Sequence, residues 1–196
     1  MKILKAISAA VILSVIMSLF SFNSKCEALS GDIFRLHILA NSDSERDQEL
    51  KLRVRDRILK STEYLYKNCE SKADTISVTQ QELHSLEKIA EDELKQNGCD
   101  YEVSAEITNM YFNVREYGRY TVPSGYYDAL RLTIGEGKGH NWWCVMYPSF
   151  CMGECTAPDD SGLSDTEIDL ISDTEKYKVK FKIFEVYQDL VNYLVP

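Results

Sequence analysis

The order in which strand-like and helix-like apolar patterns follow one another constrains this fold more than any other feature. Residues 33–40 are apolar with Arg35 and His37 interleaved, and the run ends at the polar cluster 41–43, which breaks strands and caps helices. From there to about Cys69, apolar residues recur at helical spacing. The pattern therefore predicts a strand followed directly by a helix.

This first helix has apolar residues on two nearly opposite faces. They are Leu50, Val54, Ile58 and Leu65 on one face, and Leu52, Leu59 and Tyr66 on the other. A helix packed between a sheet and a second helix buries both faces, whereas a helix that receives a partner leaves one face open. We favour the packed arrangement and keep the open face as the alternative.

A second helix and several strands follow. The helix is predicted to begin at the capping box formed by Thr79 and Glu82 and to end before Gly98. Strand-like patterns then occupy residues 101–107, 111–122 and 127–134. Since these strands are consecutive in sequence, we expect mostly antiparallel pairing. The predicted fold class is α+β, a single domain with two N-terminal helices and a C-terminal amphipathic helix.

The C-terminal part combines an acidic segment with that last helix. Residues 154–175 contain eight acidic residues and no basic one, which predicts a solvated loop with at most short helical pieces. Beyond it, polar residues from Lys178 to Asn192 form one row at helical spacing, and apolar residues fill the remainder. The alternation around Phe181 also fits a short strand at the start of this element.

The N-terminus has the features of an export signal. Two lysines within the first five residues precede an uncharged apolar run from residue 6 to residue 22. The sequence Cys26-Glu27-Ala28 favours cleavage after Ala28, and retention as a membrane anchor is the alternative. We therefore expect a signal peptide or anchor over residues 1–28 and one domain over residues 29–196, with the acidic loop within it.

Charge and cysteine content narrow the function classes. The formal net charge of −9 repels nucleic acid phosphates, so we expect no nucleic acid partner. Export permits disulfides. The residues expected as disulfides or free thiols are Cys69, Cys99, Cys144, Cys151 and Cys155. Local bridges among the last three are one possibility, and a pairing of the first two is another. Their spacing does not fit a zinc site, so we expect no metal and no other cofactor.

The densest cluster of unusual residues is the segment 135–144, Gly-Glu-Gly-Lys-Gly-His-Asn-Trp-Trp-Cys. It lacks the earlier glycine and the following Ser or Thr of a phosphate loop. His140 and Cys144 are four residues apart, so a thiol nucleophile oriented by Asn141 or Asp43 is one hypothesis. A cysteine beside tryptophans is more often buried in packing, which is the interpretation we favour.

Two blocks of the chain together resemble the stage II sporulation protein R family. The first is RLHILANSDS at 35–44, with Asp47-Gln48 and the segment 51–56. The second is ALR at 129–131, with GEGKG at 135–139 and NWWCV at 141–145. The resemblance includes the leading signal and the C-terminal stretch around Phe181, so it extends over essentially the whole exported chain.

The resemblance implies an exported, non-enzymatic signalling protein of endospore formation. Such a protein is made in the forespore, crosses into the space between the two membranes and activates a membrane-embedded aspartic protease of the mother cell. That protease removes the pro-segment of an early mother-cell sigma factor. The resemblance supplies no catalytic residues and no small-molecule substrate. The alternatives are an exported thiol-dependent hydrolase using Cys144 and His140, and a structural envelope protein.

Activation without catalysis requires tighter binding to the active conformation of the protease than to its inactive one. Two segments are candidates for this contact, the glycine-rich loop with its tryptophans and the start of the first helix. The residues are Gly135, Glu136, Gly137, Lys138, Gly139, His140, Asn141, Trp142, Trp143, Asn41, Ser42, Asp43 and Asp47. The alternative is structural: the loop inserts its tryptophans into the core, and the helix start only caps the helix.

Overall fold

The computed structural model describes residues 2–118, 120–148 and 163–194. Helices and strands are both present, which confirms the α+β class. In chain order the described elements are α1 (Lys2–Asp32), β1 (Phe34–Leu39), α2 (Glu45–Tyr66), α3 (Lys72–Gln96), β2 (Val103–Phe112), β3 (Arg115–Tyr117), β4 (Tyr120–Val122), β5 (Gly125–Ile134), β6 (Asn141–Tyr147), α4 (Asp165–Ser172) and α5 (Thr174–Leu194).

The main sheet has the strand order β2-β5-β1-β6, and β3 pairs with β4 in a separate antiparallel hairpin. β1 is antiparallel to β6 but parallel to β5. Parallel strands need a long crossover, and here it contains α2, α3 and the strands β2 to β4. Because β1 and β5 run in the same direction, their carboxyl ends at Leu39 and Thr133 lie side by side.

The chain forms two compact units. One comprises Asp32–Met110 and Tyr127–Leu163, and it contains α2, α3, β1 and β6. The other comprises Met1–Gly31, Tyr111–Tyr126 and Ser164–Pro196, and it contains the β3–β4 hairpin, α4 and α5. The boundary between a signal segment over 1–28 and a domain over 29–196 stays a prediction.

In the first of these units, α2 and α3 pack together and both contact β1. One apolar face of α2 is buried through Leu50, Val54 and Ile58. The opposite face is only partly covered, since Leu52 is 38% exposed and Leu59 is half-buried. The fourth residue of the first face, Leu65, is half-buried. Most of the first face and part of the second face are therefore covered, as the packed arrangement predicted.

The second helix begins earlier than its capping-box pattern predicted. α3 starts at Lys72, and its N-cap Ser71 accepts a hydrogen bond from the N–H of Asp74 at 3.1 Å. Thr79 lies within the helix, where its hydroxyl donates to the carbonyl of Thr75 at 2.7 Å. The predicted start at Thr79 was therefore wrong, whereas the predicted end is correct because Gly98 has the positive φ of 70° that follows a helix C-terminus.

In the other unit, α1 is one helix through the expected cleavage site. Phe22, Cys26 and Leu29 are buried, and Phe22 contacts the rings of α5 at centroid distances of 5.5 to 5.9 Å. This part of α1 therefore packs against α5 within the unit. No helix among the described residues is both long and apolar enough to cross a membrane. Cleavage after Ala28 stays a prediction.

The acidic segment contains one short helix, as the prediction allowed, but part of this helix is buried. Residues 154–162 lie outside the described residues, but Asp165–Ser172 forms α4. The carboxylate of Glu167 accepts hydrogen bonds from the backbone N–H and the hydroxyl of Ser164 at 2.8 and 2.6 Å, which fixes the first turn. Leu170 and Ile171 are fully buried, so α4 belongs to the core of its unit.

Two carboxylates of α3 cover one edge of the main sheet. The backbone N–H of Ala105 in β2 donates to Glu87 at 2.9 Å, and that of Val103 donates to Glu91 at 3.4 Å. An edge strand otherwise presents unpaired N–H groups that can pair with another chain. The two glutamates therefore satisfy two N–H groups at the start of this edge strand within the molecule.

We expect Glu87→Ala to lower the free energy of unfolding by about 1–3 kcal/mol, because the half-buried N–H of Ala105 loses a charged acceptor. Urea unfolding followed by circular dichroism measures this. Asp92→Ala is the matched control, since Asp92 lies on the same helix and is exposed. Equal midpoints for the two variants would show that the hydrogen bond contributes nothing to stability.

Candidate functional site

The two candidate segments meet at the carboxyl ends of β1 and β5. One segment, residues 41–47, leaves β1 and begins α2, and the other, residues 135–140, connects β5 to β6. The N–H of Lys138 donates to the carbonyl of Asn41 at 3.1 Å, and the N–H of Gly139 donates to that of Ala40 at 2.9 Å. Sequence analysis selected both segments as candidates, and the parallel pairing of β1 and β5 brings them together.

Asp47 links the two segments. Its carboxylate accepts hydrogen bonds from the side chains of Asn41 at 2.9 Å and Ser42 at 2.6 Å. Asn41 in turn accepts the N–H of Glu136 at 3.0 Å through its side-chain oxygen. Asp47 is 5% exposed, so it holds the two loops together and does not form part of the outer surface.

The pKa of Asp47 reflects this arrangement. Burial raises it, but hydrogen bonds from Ser42, Asn41, Ser44 and Tyr101 lower it, and the net result is a pKa below the ordinary value. Asp47 is therefore an ionised acceptor at neutral pH. An ionised carboxylate makes stronger hydrogen bonds than a neutral group does, which explains why a buried acid is used here.

Two glycines allow the close approach of the loops. A Cβ at Gly139 would overlap the backbone carbonyl of Ser42, whose carbon lies at 2.5 Å from the ideal Cβ position. A Cβ at Gly135 would overlap the side-chain oxygen of Asn41, and Gly135 also has a φ of 55°. These glycines therefore serve the packing of the loop against residues 41–42.

The first turns of α2 hold the far end of the loop. Lys51 is 5% exposed and its ammonium group donates to the carbonyl of His140 at 2.9 Å and to the side chain of Gln48 at 2.6 Å. The backbone N–H of His140 donates to Asp43 at 2.6 Å, and its imidazole contacts the same carboxylate oxygen. Gln48 also donates to the carbonyl of Ser42 at 2.9 Å.

Lys51 and Gln48 hold the loop in position, and sequence reasoning did not select them. Both lie in the block that carried the family resemblance, and that block was the only available signal for them. Burial lowers the pKa of Lys51, although nearby Asp43 opposes this shift. A buried lysine that donates to a loop carbonyl has a positioning role, which local sequence patterns do not indicate.

The two tryptophans lie in a strand. β6 places them on opposite faces of the sheet, where Trp143 stacks on His37 at 3.9 Å between ring centroids and Trp142 lies under the guanidinium of Arg55 at 4.9 Å. Both rings are half-buried. Since each face already has a partner within the unit, neither ring projects freely as an anchor. This strand was not predicted.

The exposed part of the site is charged. Four side chains form what we call the loop tip, namely Asp43, Glu136, Lys138 and His140. Their side chains are 56%, 68%, 74% and 77% exposed, respectively. Glu136 and Lys138 form an ion pair at 2.7 Å. The outer surface of the site is thus a rigidly held set of charged groups of both signs.

The cysteines do not support thiol chemistry at this site. Cys144 is disulfide-bonded and 2% exposed, so it supplies no thiolate nucleophile. Cys69 and Cys99 are free thiols, which rules out the pairing of these two in this structure. Cys151 and Cys155 lie outside the described residues. Within the part of the chain that the structure describes, no group of three or more His, Cys, Asp or Glu side chains could hold a metal ion.

Comparison with known proteins gives the family. The family model described as Stage II sporulation protein R (spore_II_R) matches residues 30–157. The chain is 36% identical over 117 residues to Stage II sporulation protein R of Bacillus subtilis (strain 168), an alignment that covers 60% of this chain and 52% of that protein. No solved structure matches the chain. The chain belongs to the stage II sporulation protein R family.

The family model matches a shorter part of the chain than the sequence resemblance implied. It contains both blocks of the site but ends at residue 157, before α4 and α5. The alignment also spans only about half the length of the curated relative. The family assignment therefore rests on the sheet, α2, α3 and the site at the carboxyl ends of β1 and β5.

We expect Gly139→Ala to lower the free energy of unfolding by about 1–3 kcal/mol, because the added methyl group must displace the backbone at Ser42. Thermal or urea unfolding measures the change. Gly31→Ala is the control, since a Cβ at Gly31 meets nothing within 4 Å and alanine favours its helix. A loop that adapts freely would instead give Gly139→Ala the stability of the unsubstituted protein.

The stacked His37 gives a stability effect with a defined pH window. Burial lowers the pKa of His37 to about 4, a hydrogen bond with the side chain of Asn141 acts against this, and nearby Arg131 acts with it. The unfolded chain takes up this proton near pH 6.5, so the folded state loses stability as pH falls from about 6.5 to about 4.

We expect this loss to be on the order of 1–3 kcal/mol in the unsubstituted protein. His37→Phe keeps an aromatic ring against Trp143 and removes the titration, so its free energy of unfolding should fall less over the same pH interval. Urea unfolding at several pH values between 7 and 4.5 tests this. Identical pH dependence in the two proteins would exclude His37 as the source.

Proposed function

We propose that this protein is an exported signal of endospore formation that activates a membrane-embedded aspartic protease, leading to processing of the pro-form of an early mother-cell sigma factor. In this proposal it is made in the forespore and acts in the space between the two membranes. The observation that carries the proposal is membership of the stage II sporulation protein R family over residues 30–157. The proposed action is binding and not catalysis.

The site supports a binding role. It has no free thiolate at Cys144, and its central acid, Asp47, is fully occupied in holding the loops. What it offers to a partner is the loop tip, where the charged side chains are exposed on a loop fixed by backbone hydrogen bonds. A preorganised loop loses little conformational entropy on binding, so more of the contact energy appears as affinity.

Activation follows if the loop tip contacts a surface that only the active conformation of the protease presents. A ligand shifts a conformational equilibrium only by its differential affinity for the two states. Charged groups of both signs at Glu136 and Lys138 favour such discrimination, because a mismatched charge on the partner is repelled. The glycines and Asp47 act indirectly in this scheme, by fixing the positions of the charges.

The experiment is complementation in a sporulating host that lacks its own copy of the family member, with immunoblotting of the pro-sigma factor as the measurement. We expect the unsubstituted protein to restore processing. The double variant Glu136→Ala/Lys138→Ala should reduce processing at least tenfold, because it removes two tip charges and leaves the backbone bonds that fix the loop in place. This tenfold reduction corresponds to a loss of about 1.4 kcal/mol in binding.

The matched control is Glu49→Ala/Arg53→Ala, which removes another exposed ion pair, at 2.8 Å on α2. We expect it to restore processing fully. Immunoblotting of the exported variants shows that each is stable. Failure of the unsubstituted protein despite export would reject the proposed function, whereas full activity of the Glu136/Lys138 variant would reject only the loop tip as the contact.

A further inference from the structure

Among the described side chains of α5, residues 176–188, one apolar face is covered and another is exposed. On the inner face, Tyr177, Phe181 and Phe184 are buried around Phe22 of α1 within the same compact unit. The ring centroids of these three residues lie 5.5 to 5.9 Å from that of Phe22. These contacts fix the orientation of α5 about its own axis relative to α1, and so determine which side chains face outward.

The outer face of α5 presents a continuous apolar stripe, which we call the outer stripe. It is formed by Val179, Ile183, Val186 and Tyr187, whose exposures are 69%, 46%, 59% and 55%. Their spacing of four, three and one residues places them along one side of a helix. Single exposed apolar residues are ordinary in proteins, but a contiguous row of them marks an interaction surface.

Lysines lie on both sides of the outer stripe. Residues 176–182 contain Lys176, Lys178, Lys180 and Lys182 and no acidic residue, in a chain with a formal net charge of −9. At 100° per residue, Lys180 lies on one side of Val179 and Lys182 on the other. Lys176 and Lys182 form ion pairs with Asp169 and Glu185, both at 2.7 Å. Exposed pairs of this kind contribute little energy, so the lysines can exchange their partners.

We propose that the outer stripe of α5 lies in the interface of an anionic lipid bilayer. An apolar stripe with lysines on both flanks is the arrangement that binds helices parallel to such a surface, with the apolar side chains below the headgroups and the ammonium groups among the phosphates. The same unit also exposes the apolar side chains of Leu13, Met17 and Phe20 on α1.

A lipid surface fits the charges better than a second copy of this chain. Two outer stripes packed against each other would bring the lysine rows of both helices close together, and the resulting repulsion disfavours that dimer. A bilayer containing phosphatidylglycerol supplies a continuous layer of negative charge at the depth of the lysines. Because α5 lies beyond residues 30–157, this inference stands independently of the proposed signalling function.

The test is photocrosslinking of the full chain on vesicles of phosphatidylglycerol and phosphatidylethanolamine. The photoreactive amino acid p-benzoyl-phenylalanine replaces Val186 in one protein and Leu52, an exposed apolar residue of α2, in the control. We expect a lipid adduct from position 186 and none from position 52. An adduct to a second protein chain, or no adduct at position 186, would overturn the proposal.

A charge variant distinguishes lipid binding by the outer stripe from a general attraction between the protein and anionic lipid. Lys178→Gln/Lys182→Gln should lower the affinity for the vesicles by about fivefold per lysine. The yield of the lipid adduct from position 186 should fall with it. Lys60→Gln/Lys67→Gln, which removes one exposed lysine of α2 and the exposed lysine that follows the helix, should leave the yield unchanged. An equal decrease in both double variants, or no decrease in either, would overturn the assignment of lipid binding to this face.

Discussion

The carboxylate of Asp47 is the group on which the organisation of the site depends. It accepts the side-chain donors of Asn41 and Ser42, and Asn41 in turn accepts a backbone N–H from the glycine-rich loop. A hydrogen-bond chain thus runs from the first turn of α2 to the segment that joins β5 to β6. Without the charge at Asp47, the two donors would lose their acceptor in a place that water reaches poorly, and the loop would lose its fixed position.

This network exists because β1 and β5 are parallel. Parallel pairing places the segments that follow both strands at the same end of the strands. The backbone hydrogen bonds of Lys138 and Gly139 then join those segments directly. In an antiparallel pair, the segments that follow the two strands would lie at opposite ends of the strands. The sheet therefore acts as a rigid support for loops whose composition alone would not hold them in place.

Sequence reasoning identified the elements better than their connections. Apolar spacing located the strand before Asn41, and Gly98 marked the end of α3 correctly, because both signals are local. The start of α3 was missed because Thr79 and Glu82 imitate a cap, whereas the true cap is Ser71. β6 was missed because a run of consecutive aromatic and aliphatic residues around Trp142 lacks the alternation of a half-buried strand.

The candidate site was predicted in composition but not in arrangement. The resemblance selected both segments, yet only long-range strand pairing shows that they touch, and no local pattern encodes such a pairing. The buried Lys51 illustrates the same limit, since a lysine at helical spacing predicts a solvated side chain. Its role appears only when the carbonyl of His140 is placed beside it.

The role of each residue in the site follows from the exposure of its side chain. Residues that cannot reach a partner, such as Asp47 and Lys51, set the geometry, and residues that can reach one, such as Glu136 and Lys138, depend on that geometry for their positions. Gly139 acts on the geometry of the loop, because a side chain at this position would separate the loop from Ser42. Substitutions at the two kinds of position should differ accordingly. In the proposed binding role, loss of a glycine should change stability and binding together. Loss of a tip charge should change binding and leave stability nearly unaltered, because exposed ion pairs contribute little to folding.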